Sequence, residues 1–81
     1  MWMSNIYIMI DPRNSDCNTL RDLCAAVSEA GATVMNVDEQ AQMIEAAVST
    51  REVPTIAAME GVAYVRSIFN YLVQEKPLQA A

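Results

Sequence analysis

The chain has 81 residues, a length that suits one domain spanning residues 1–81, and a domain this small buries only about 60% of the surface its unfolded form exposes. Its composition, 53% hydrophobic and 19% charged, is that of a folded chain and not of a disordered one. Ten acidic against five basic residues give a formal charge of −5, and Arg13, Arg21, Arg51, Arg66 and Lys76 never form a run, so neither nucleic acid nor a membrane surface is expected as a partner.

No apolar run approaches the roughly 18 residues needed to span a bilayer, and residues 1–5 lack the basic start and small-residue cleavage site of a secretion signal. A cytoplasmic location is therefore expected. Two cysteines in such a setting are expected as thiols. With no histidine and only those two cysteines, no metal site is expected.

In chain order, Asn-Ile-Tyr-Ile-Met-Ile at residues 5–10 is a nearly unbroken apolar, β-branched run, the pattern of a strand covered on both faces. Turn chemistry at residues 11–15 ends it, and Asp16 or Ser15 can cap the helix that follows. From Cys17 to Ala30 the period changes to 3.6, with Leu20, Leu23, Cys24 and Val27 along one face and Gly31 at the helix stop. Residues 33–37 form a second short strand. Residues 39–49 are expected as a second helix with Met43, Ile44, Ala47 and Val48 on its apolar side, capped by Asp38.

A loop at residues 50–53 leads to Pro54, which opens a strand over residues 54–59, and Glu60-Gly61 turns the chain into a hairpin partner at residues 62–65. Ser67 then caps a last helix carrying Ile68, Phe69, Leu72 and Val73, which Pro77 ends.

That order, β-α-β-α-β-β-α, with Cys17 opening the first helix and Val53-Pro54 opening the third strand, resembles the glutaredoxin branch of the thioredoxin-like proteins. The Val-Asp ending of the second strand, Val37-Asp38, fits the same pattern. The resemblance implies an α/β thioredoxin-like fold with a four-stranded mixed sheet flanked by helices. It also implies a cis Val53–Pro54 bond facing Cys17. The sequence departs from the family at Leu20, where the second cysteine would stand, at Glu52 and Asn14, and at Tyr64-Val65-Arg66-Ser67, where a Gly-Gly pair and a following Asp are missing.

What the resemblance implies for function is thiol–disulfide exchange by a monothiol route, with no bound cofactor and with glutathione or a protein disulfide as substrate. Cys17 would be the nucleophile, because a helix N-terminus lowers a thiol pKa. The N–H groups of Asn18 and Thr19 would steady its thiolate, while Arg51, Val53 and Pro54 would hold the peptide or glutathione moiety. Cys24 is read as core packing: seven helical residues rise about 10.5 Å, beyond the roughly 7 Å a disulfide tolerates between Cα atoms. The alternative, from a different class, is a redox-inactive binding module that keeps its fold for its surface and docks a protein partner.

Overall fold

The computed structural model describes residues 1–14 and 17–73, with the backbone alone described at Asn14, Cys17, Asn18 and Thr19. The elements run β1 (Trp2–Ile10), α1 (Cys17–Glu29), β2 (Thr33–Asp38), β3 (Met43–Ser49), α2 (Val53–Ala57) and β4 (Val62–Leu72), with single 3₁₀ turns at Pro12–Asn14 and Thr50–Glu52. The four strands form one sheet in the order β2-β3-β1-β4, and every neighbouring pair is antiparallel. A β-α-β-β-α-β chain paired this way has the split β-α-β, ferredoxin-like topology.

The thioredoxin-like expectation is therefore wrong, and three segments account for it. Residues 39–49 were expected as a helix, but β3 occupies Met43–Ser49. Its apolar residues satisfy both periods over so short a run. Pairing decides the matter: as a strand β3 puts Ile44, Ala46 and Val48 on the covered face beside Ile8, Ile6 and Ser4 of β1.

Residues 54–59 were expected as a strand, but α2 forms instead with Pro54 in its first turn. A missing N–H costs nothing in that position, and the following alanines favour helix. The third error is the last helix. The segment from Ser67 onward continues β4 to Leu72, pairing with β1 and not with residues 54–59. Two bulges, at Ala63 and Ile68, interrupt its alternation and hide the period of two. The expected cis bond is also absent: no peptide bond is cis among the described residues. The proposed caps at Ser15 and Asp16, and the stop at Pro77, lie outside the described residues.

The first half follows the sequence closely. β1 begins three residues earlier than expected, at Trp2, and α1 opens at Cys17 as its periodicity predicts. Its end is a left-handed turn: Gly31 has φ +96°, its N–H donates to the Ser28 carbonyl at 3.0 Å, and Ala32 N–H reaches back to the Val27 carbonyl at 3.2 Å.

One face of the sheet carries the core. Ile6, Ile8 and Ile10 of β1 and Ile44, Ala46 and Val48 of β3 pack with Leu20, Leu23 and Val27 of α1 and Ile56 of α2. Both helices therefore lie on that face, with α1 over β2 and α2 over β4. The opposite face has no layer over it among the described residues.

Candidate functional site: the uncovered sheet face

Directly opposed residues in an antiparallel pair share a face, so the strand register spells out what the open face presents. Its central row runs Asn36, Glu45, Tyr7, Arg66 across β2, β3, β1 and β4. On one side lies the row Asp38, Met43, Met9, Tyr64; on the other, Thr33, Ala47, Asn5, Phe69, followed by Ser49, Met3, Tyr71. Tyr64 and Phe69 are more than half exposed, at 56% and 52%, while Met3, Tyr7, Met9 and Met43 are half-buried by their neighbours. Phe69 and Tyr71 lean on one another with ring centroids 5.6 Å apart.

An ordinary solvated sheet face alternates with polar residues. Here Met3, Tyr7 and Met9, three of the four outward positions of β1, are large and largely apolar, the fourth being Asn5, and β4 adds three aromatic rings. Asn36, Asp38, Thr33 and Ser49 make the β2 side of the face polar, and two polar features stand within the apolar field. Glu45 and Arg66 flank Tyr7 in one row, two strand spacings or about 9.6 Å apart, and neither has an ion-pair partner among the described residues. Asn5 stands mid-sheet with its side-chain Oδ1 buried and unpartnered.

The residues expected from the sequence to carry chemistry are not gathered in one place. Cys17 begins α1, beyond the Ile10 end of β1. Arg51, Val53 and Pro54 follow β3, which pairs Ser49 with Met3 and so delivers them to the opposite end of β1. Six residues of strand, roughly 20 Å, separate the two ends. The side chains of Cys17, Asn18 and Thr19 lie outside the described residues.

Arg51 and Pro54 are exposed, Val53 packs against the core, and Arg51 lines an open pocket of about 750 Å³ with Met1, Trp2, Ser49, Thr50 and Glu52. Cys24 is a half-buried free thiol against the core, and burial pushes its pKa up. No group of metal-ligating side chains occurs among the described residues, and none of their helices is long and apolar enough to cross a membrane.

The open-face residues went unrecognised in the sequence, yet one signal was present. The nearly unbroken apolar run of β1 predicts cover on both faces, and the described helices cover only one. Comparison with protein-family models, with curated proteins and with solved structures finds no match.

Proposed function

We propose that the protein is an interaction domain that docks against a protein surface through the uncovered face of its sheet. The observation that carries this reading is Met3, Tyr7 and Met9, three of the four outward residues of β1, standing beside Tyr64, Phe69 and Tyr71 of β4 with nothing packed over them among the described residues. A contiguous apolar field of this kind marks an interaction site on a folded domain. Aromatic and methionine side chains are the types enriched at such contacts. The free thiol at Cys24 suits a reducing, cytoplasmic setting. Thiol exchange at Cys17 has less support, because the peptide-holding loop it requires leaves from the far end of β1.

Methionine oxidation footprinting tests the reading. Met3, Met9 and Met43 lie on the open face, while exposed Met35 at the β2 bulge serves as internal reference. The three face methionines are expected to oxidise more slowly, relative to Met35, in the protein inside cells than in the dilute purified protein. Equal relative rates in both settings would remove the reading.

A further inference from the structure

We infer that the surface the open face binds is the open face of a second copy of this chain, related by a twofold axis running along β1. This rests on the interaction reading above and names its partner. The geometry of the face selects both the partner and the axis.

A twofold axis lying between two stacked sheets and parallel to the strands reverses the strand order while keeping each row at its own level. β3 then lies over the partner's β4, and β1 over the partner's β1. Each row meets its own copy in reverse order. In the central row Glu45 meets the partner's Arg66, and Arg66 meets the partner's Glu45, so two charges that have no ion-pair partner within the described residues gain one each.

Size matches as well as charge. β3 carries Ala47 and Ser49 at the levels where β4 carries Phe69 and Tyr71. Reversal therefore places Phe69 and Tyr71 over small residues, the interleaving that close sheet packing needs, while Tyr64 falls over the partner's Met43 and Tyr7 over the partner's Tyr7.

The competing axis, in the sheet plane but across the strands, keeps strand order. It would set Glu45 against the partner's Glu45 and Arg66 against the partner's Arg66, which like-charge repulsion disfavours. The contact runs roughly 20 Å along the strands by about 14 Å across the three strands that overlap, so the two faces together bury on the order of 600 Å². That area belongs to weak, concentration-dependent association and not to an obligate dimer.

The test is sedimentation equilibrium of the purified full chain from about 1 μM to about 1 mM, with an NMR dilution series over the same range. Wild type is expected to pass from monomer to dimer, with dilution shifts at Tyr7, Met9, Tyr64 and Phe69 and none on α1. Arg66→Glu and Glu45→Arg should each weaken the dimer about tenfold or more. The double swap should recover most of that loss, because the reversed pair restores opposite charges across the axis. Ala47→Leu, on the same face but uncharged, should weaken it by crowding the partner's Phe69.

A chain that stays monomeric throughout would overturn the proposal. So would a dimer indifferent to both single swaps, or one whose double swap is no better than either. Should the purified chain fail to associate while Met3, Met9 and Met43 remain protected in cells, the second copy is excluded and the interaction reading stands. Loss of both results removes both.

Discussion

Ser4 is the only polar residue among the buried described positions, at 1% exposure, and its hydroxyl ties three segments together. It donates to Asn70 Oδ1 at 2.7 Å and so accepts from the Thr50 hydroxyl at 2.8 Å, joining β1 to β4 and to the turn after β3. Ser4→Ala should therefore cost about 1 kcal/mol in urea unfolding, the usual net worth of such bonds. Gly31 poses a different constraint. A Cβ there would touch nothing within 4 Å, so the φ of +96° alone penalises a side chain. Gly31→Ala should cost about 1–2 kcal/mol in the same assay.

Asp11 accepts from Arg13 at its backbone N–H and at two guanidinium nitrogens, and the Arg13 side-chain hydrogen bonds hold its carboxyl below the ordinary aspartate range. A lowered folded-state pKa means that whatever stability the pair gives is present above the ordinary aspartate pKa and disappears as pH falls through the lowered value. In Arg13→Ala the Asp11 carboxyl, followed by NMR titration, should return upward toward its ordinary midpoint. Cys24 moves the other way. Burial raises its thiol pKa, so its alkylation at neutral pH should be slower than that of the same residue in the urea-unfolded chain.

Among the elements, α2 and β4 are the least securely held by local sequence. α2 has five residues, and Ile56 is its one fully buried side chain. Ile56→Ala should cost about 2–5 kcal/mol, enough to leave a small domain partly unfolded at room temperature.

β4 is anchored near its start, where Val62 and Val65 face the core, and bare toward its end, where Ser67, Ile68, Phe69 and Leu72 are exposed. Phe69→Ser should accordingly shift the urea midpoint little, by less than about 1 kcal/mol in stability, while Val65→Asp, which buries a charge beside α2, should prevent folding. The contrast separates the proposed docking surface from the scaffold within one strand.

At the scale of the whole molecule, the described residues form two layers, with both helices on one face of the sheet and no described residue packed over the other. β1 is central, with β3 on one side and β4 on the other, and its sequence is largely apolar on both faces. The first half of the fold was legible because its signals are local. Strand, turn, amphipathic helix and glycine stop each occupy consecutive residues, from Trp2 through Asp38, and each specifies itself.

The second half was not, because its short segments fit two periods. Met43 to Ser49 reads equally as one helical face or one strand face, and only the empty edge of β1 selects the strand. The bulges at Ala63 and Ile68 break the alternation of β4, so its register exists only against β1. The open face belongs to the same class of property. Composition, length and the two-sided apolar run of β1 were determined by the sequence alone. Which face the helices left open, and that Glu45, Tyr7 and Arg66 stand in one row upon it, was decided by strand pairing between residues up to about sixty positions apart in the chain, a non-local choice that local periodicity does not encode.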